Sequence, residues 1–130
     1  MTRPSKIALV TAAGTSVLRP ARLWLVALGF ALTVQLVVLY APQGLGGPQI
    51  TGLDKVVHIL IFALPVLAAL MAGLSAPWVL GILALHGPVS ELIQYSVLPH
   101  RSGDVFDALA DVVGVAIGAM VYVVWRRRQS

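Results

Sequence analysis

Four long apolar runs joined by three short connectors fill most of this 130-residue chain, and that pattern leaves few folds open. The runs are Leu23 to Ala41, Asp54 to Ala72, Pro77 to Leu98 and Asp104 to Trp125, each close to the roughly 20 residues that a helix needs to cross a bilayer. Hydrocarbon offers no water to the backbone, so such spans must satisfy their own N–H and C=O groups as helices. Composition agrees. Charged residues make up 11% of the chain and hydrophobic residues 58%, whereas a water-soluble domain has about a quarter charged residues. The first run is too long for the apolar core of a signal peptide and no soluble domain follows it, so it reads as a span. The expected fold is all-α, a four-helix transmembrane bundle forming one domain over residues 23–125.

The connectors support this division. Residues 42–53 are rich in Gly and Pro and uncharged, a turn-forming link. Thr51 is placed to cap the second helix, with Asp54 three residues on reaching back in a capping box. Gly73 to Ala76 is a short turn, and Pro77 suits the start of the third helix, where its missing N–H costs nothing. Pro99 to Gly103 make the last turn. Pro65 and Pro88 fall inside spans and are expected to bend them.

Basic residues set the expected orientation. Seven of the nine Lys and Arg lie in residues 1–22 and 126–130, which read as basic tails retained on the cytoplasmic side. Lys55 and Arg101 flank the first and third loops, which then face outward. The high isoelectric point therefore reflects topology signals at span ends rather than a nucleic-acid-binding domain. With no cysteine in the chain, disulfides, thiolate metal sites and cysteine nucleophiles are all excluded. No internal repeat is visible.

Function is expected where charge lies in hydrocarbon, because such placement costs several kcal/mol and persists only with a partner, water or a task. The acids are Asp54, Glu91, Asp104, Asp107 and Asp111. They share the last three spans with Lys55, His58, His86, Gln94 and Arg101, while the first span carries no acid, base or histidine. At about 1.5 Å of rise per residue, His58 and Asp107 lie about one turn below the outer end, Glu91 and Asp111 about 10 Å below it, and Gln94 between them. Three helices thus bring polar groups to one outer layer. On the fourth helix Asp104, Asp107, Asp111, Gly114 and Gly118 form one stripe, with the Gly114-xxx-Gly118 portion suited to close helix packing, so the acids face protein. Glu91, Gln94 and Gly87 share a face of the third helix, Asp54 and His58 a face of the second, and His86 points elsewhere, toward packing or an interhelical hydrogen bond.

These residues resemble the VanZ-like family of small bacterial membrane proteins, named for a protein associated with teicoplanin resistance. Asp54-Lys55-Val56-Val57-His58 is similar to its D-K-x-x-H block, Glu91-Leu92-Ile93-Gln94 to its E-x-x-Q block, and Arg101, Asp107, Asp111 and Gly114 to R-x5-D-x3-N-x2-G. Asp111 stands where that pattern usually has Asn, which adds a potential negative charge to the deep layer. The resemblance spans residues 23–125 and implies an envelope-associated, multi-pass protein of the cell membrane.

Several readings of the polar layer are open at this stage. Asp54, Asp104 and Asp107 can serve as helix caps, and Lys55, Glu91, Arg101 and Asp107 can form an ion-pair network fixing the bundle. His58 can carry a proton or join Asp54 and Glu91 on a metal. The chain has no H-E-x-x-H pattern and no histidine cluster on one face, so neither a metal nor any other cofactor is expected. Ser90 adjoins Glu91, but helix neighbours point about 100° apart, so no nucleophile and base pair argues for a hydrolase. Glu91 and Asp111 could share a proton in coupled transport, for which four short spans would need homo-oligomerisation.

The preferred expectation is a binding cluster of Asp54, Lys55, His58, Glu91, Gln94, Arg101, Asp107 and Asp111 in the outer leaflet. There the two cations would meet an anionic lipid head group, and the amide and acids its polar remainder. Membrane lipids, a lipid-linked cell-wall intermediate or a glycopeptide antibiotic are the partners such a site would take, and nucleic acid is not among them.

Overall fold

The computed structural model describes residues 6–41, 52–98 and 104–130, with side chains from residue 20 onward. Among them are four helices, α1 Lys6–Tyr40, α2 Leu53–Met71, α3 Ala76–Val97 and α4 Val105–Arg127, and no strand. All four are long and apolar enough to cross a membrane. The chain is a multi-pass membrane protein.

Its surface is what hydrocarbon solvent requires. Phe30, Trp78 and Phe106 are about 70% exposed (72%, 73% and 68%), while Asp111 and Gln35 are 0% exposed. An aqueous protein seldom leaves such a continuous apolar face uncovered. Here burial sorts side chains the other way: the large apolar residues point out from all four helices, and most of the polar ones point in.

The helix ends follow local chemistry. Ala72, Gly73 and Leu74 close α2 by donating to the carbonyls of Ala68, Leu70 and Ala69 at 2.9, 3.0 and 3.0 Å. Gly73 supplies the left-handed turn of this closure with φ +86°, a conformation that costs a residue lacking Cβ almost nothing. Pro77 sits in the first turn of α3, and Pro65 and Pro88 are accommodated inside unbroken α2 and α3.

The helix preceding the first loop begins at Lys6, within the segment read as a basic cytoplasmic tail, and Pro20 lies within it. The Ala, Leu, Arg and Lys residues among 6–22 favour helix enough to carry it past Gly14 and Pro20. The N-cap of α2 is Gly52, at φ +87°, and Thr51, expected to cap this helix, lies outside the described residues. Without a Cβ, Gly52 takes this left-handed conformation at little cost.

The bundle is built around α2. Gly114 faces the Ile59 carbonyl and Phe62, and Gly118 faces the Ala63 carbonyl and Val66, so α2 and α4 run parallel with their backbones nearly touching. Between them and α3, Phe62, Val66, Leu83, Val79 and Val115 form the apolar core, with Leu39 of α1. A Cβ added at Gly118 would lie 2.5 Å from the Ala63 carbonyl oxygen and 2.9 Å from Val66 Cβ, and one at Gly114 would strike the Ile59 carbonyl oxygen. Backbone cannot rotate aside as a side chain can. Gly114→Ala and Gly118→Ala should each cost about 1–3 kcal/mol through overpacking, measured by reversible unfolding in mixed micelles. Gly29→Ala, where the space is open, should leave stability equal or up to about 1 kcal/mol higher.

Candidate functional site

The close approach of α2 and α4 carries the polar residues together. At the end of the bundle where these two helices begin, Lys55 and His58 come from α2, Glu91 and Gln94 from α3, and Asp107 and Asp111 from α4. His58, Glu91, Gln94 and Asp111 are all buried, at 9%, 6%, 5% and 0% exposure. The stripe of acids on α4 faces protein, as its spacing requires.

Lys55 occupies the rim. Its Nζ lies 2.8 Å from Asp104 Oδ2, 2.5 Å from Asp107 Oδ1 and 3.1 Å from Asp54 Oδ2. Three carboxylates therefore share one ammonium, and the cation expected to meet a phosphate is already occupied in tying α2 to the start of α4. Asp54 is more than half exposed on its side chain (55%) and pairs with this lysine, so it stands at the edge of the cluster. Arg101 and His100 lie outside the described residues.

Asp104 caps α4. Its Oδ1 accepts from the Phe106 N–H at 2.8 Å, satisfying one of the donors a helix start leaves open. The Lys55 ammonium, and then the Phe106 N–H, hold its carboxyl below the usual aspartate range. Glu91 completes the join: its Oε2 accepts from the Asp104 backbone N–H at 2.8 Å, and Gln94 Nε2 approaches its Oε1 at 3.4 Å. The end of α3 is thus fastened to the start of α4 by a buried carboxylate.

Deeper still, His58 Nδ1 lies 2.8 Å from Asp111 Oδ1. With Asp111 ionised, its oxygen only accepts and Nδ1 is the donor, which leaves Nε2 facing Asp107. Nε2 is 4.0 Å from Asp107 Oδ2, and Nδ1 is 4.0 Å from Glu91 Oε1. The other Asp111 oxygen is buried with no hydrogen-bond partner among the described residues. It lies against Gly87, where a Cβ would be 2.8 Å from Asp111 Cβ and 3.2 Å from Oδ2, so Gly87 makes the room that the aspartate occupies. One ligand atom from each of His58, Glu91 and Asp107 falls within 4.8 Å of the others.

Other polar side chains are accounted for elsewhere. Ser90 Oγ donates to the Gly87 carbonyl at 2.7 Å, so its proton is held by the backbone of its own helix. His86 Nε2 lies 3.1 Å from the Tyr40 hydroxyl and its ring 5.6 Å from that of Phe62, the interhelical contact expected of it.

Sequence reasoning missed two features. Gln35 of α1 is fully buried with neither amide atom hydrogen-bonded among the described residues; a lone amide in an apolar span was the signal available. Tyr40 as the partner of His86 had no signal, since 46 residues separate them.

Compared with protein-family models, curated proteins and solved structures, the chain matches none. What the site does must therefore be argued from its own atoms.

Asp104 supplies a pH test. Because its carboxyl is held below the usual range when folded, its stabilising contribution is present above that range and is lost as pH falls through the folded value. Asp104→Ala should therefore unfold more easily than wild type at neutral pH, with the two unfolding midpoints converging as the medium is acidified below the ordinary aspartate range.

Proposed function

We propose that this protein is a binding protein of the cell membrane, in the manner of the VanZ-like family, whose outer polar layer receives the polar head of an envelope lipid or a glycopeptide antibiotic. The observation that supports this reading is the meeting of the sequence blocks. Lys55 and His58, Glu91 and Gln94, and Asp107 and Asp111 come from three separate stretches of the chain yet adjoin in one layer. Fixing three helices needs far less than this. Capping and packing are already supplied by Asp104, Gly114 and Gly118, so the costly burial of further carboxylates calls for a use.

The chemistry of the layer sets what it would bind. With Lys55 shared among three carboxylates, the side chains of Glu91, Asp107 and Gln94 present acceptors to the hydroxyl, amide or ammonium groups of a head group. Arg101, three positions before Asp104 in the chain, is the cation this reading assigns to a phosphate. A molecule with an apolar tail reaches the layer from the bilayer itself, and the exposed apolar faces of the helices suit that approach.

The test is lipid mass spectrometry on protein purified in mild detergent. A polar-headed envelope lipid should accompany wild type at near one per chain and fall at least about tenfold in Glu91→Gln and Arg101→Ala, the equivalent of about 1.4 kcal/mol, with both variants still helical. Identical lipid content in all three would overturn the reading, and a chemically altered lipid made by wild type alone would replace it with an enzyme.

A further inference from the structure

We infer that His58, Glu91 and Asp107 form a binding site for one first-row divalent cation of the Zn2+ type, with Asp111, the Asp104 backbone N–H and Lys55 holding the three ligands in place. The inference goes beyond head-group binding and stands on the geometry of these side chains alone.

Each of the three residues has one polar atom engaged and another turned inward. His58 gives Nδ1 to Asp111 at 2.8 Å; Glu91 receives the Asp104 N–H on Oε2 at 2.8 Å; Asp107 receives Lys55 on Oδ1. That leaves His58 Nε2, Glu91 Oε1 and Asp107 Oδ2, all three of which carry lone pairs when the imidazole is neutral. Gln94 reaches one of them, at a long 3.4 Å. His58 Nε2 and Asp107 Oδ2 face each other at 4.0 Å, too far for a hydrogen bond.

A cation fits this arrangement. Zinc sits about 2.0–2.2 Å from nitrogen and oxygen ligands, so two ligands of one ion are at most about 4.2 Å apart. The 4.0 Å pair meets that limit, and each of the three residues offers one ligand atom within 4.8 Å of the others, a spacing that closes by roughly half an ångström with small side-chain rotations. One imidazole with two carboxylates suits zinc or manganese rather than a soft metal. The surrounding contacts are those that orient metal ligands: a carboxylate on the far nitrogen of the histidine, and hydrogen bonds on the far oxygens of the acids.

Charge points the same way. Among the described residues, five carboxylates crowd around Lys55 and His58, and Asp111 is 0% exposed with one oxygen unpartnered. Negative charge in excess at this depth needs a counter-charge. A divalent ion bound by three residues also keeps a coordination position open, onto which an anionic head group can close.

The experiment uses full-length protein without a polyhistidine tag, stripped with chelator and reconstituted in neutral-lipid nanodiscs. Zn2+ alone is titrated by calorimetry, and bound metal is counted by mass spectrometry. About one Zn2+ per chain is expected, with X-ray absorption showing nitrogen and oxygen ligands at about 2.0–2.2 Å. His58→Ala, Glu91→Gln and Asp107→Asn should each abolish the site, and Asp111→Ala should weaken it about 10- to 100-fold. His86→Gln, a histidine outside the cluster, should leave it unchanged. Circular dichroism checks that each variant is folded. Absence of stoichiometric Zn2+ from folded wild type, or equal binding by folded His58→Ala, Glu91→Gln and Asp107→Asn, overturns the inference. A head-group lipid retained by protein that binds no zinc sinks the metal site and leaves the binding reading standing; zinc bound without any lipid does the reverse.

Discussion

The backbone approach of α4 to α2 at Gly114 and Gly118 is the contact on which the rest of the structure depends. Between helices in lipid there is no hydrophobic driving force, so association rests on close van der Waals contact and on polar groups that find partners. Two glycines one turn apart let α4 lie against the carbonyls of Ile59 and Ala63. That depth of contact brings Asp111 within 2.8 Å of His58 and Asp107 within reach of Lys55. Were the helices spaced by side chains, neither pair would meet.

From this seam the polar layer is assembled in levels. Lys55 with Asp54, Asp104 and Asp107 forms the outermost level, where partial exposure tempers the cost of charge. Glu91 with the Asp104 N–H and Gln94 forms the next. His58 with Asp111 forms the innermost, closed off by Gly87 and, a turn further, by Phe62 and His86. The outermost and innermost levels tie α2 to α4 and the middle one ties α3 to α4, and every tie uses a group that hydrocarbon would otherwise penalise. The same physics that makes these residues costly therefore makes the bundle specific: a helix that slipped by one turn would leave a charge unpaired.

The two functional readings draw on one property of this layer, its excess of acceptors over donors. A head group bearing hydroxyl, amide or ammonium donors satisfies that excess from the membrane side, and a divalent cation satisfies it from within. They are compatible, because an ion held by three protein ligands leaves room for a fourth from the head group. Buried Gln35 and Ser90 belong to neither: Ser90 bonds its own helix at the Gly87 carbonyl, and Gln35 comes from α1, which contributes apolar packing and Tyr40 to the rest of the bundle.

How much was legible from sequence divides along physical lines. Four apolar runs with Gly and Pro between them were enough to specify four spanning helices, because the hydrocarbon thickness fixes length and the absence of water fixes helicity. The stripe Asp104, Asp107, Asp111, Gly114 and Gly118 was equally readable, since helical periodicity alone determines which side chains share a face. So was the short turn from Gly73 to Ala76. Partnerships across the bundle were another matter. That Lys55 is shared by three carboxylates, that Glu91 accepts the Asp104 N–H, and that His58 turns one nitrogen to Asp111 and the other toward Asp107 all depend on the rotation and depth of one helix against another. These are set by steric fit at Gly114, Gly118 and Gly87, and no local rule of spacing encodes a fit between surfaces 50 residues apart. For the same reason the sequence offered no metal-ligand pattern, while the fold brings an imidazole and two carboxylates from three helices to one place.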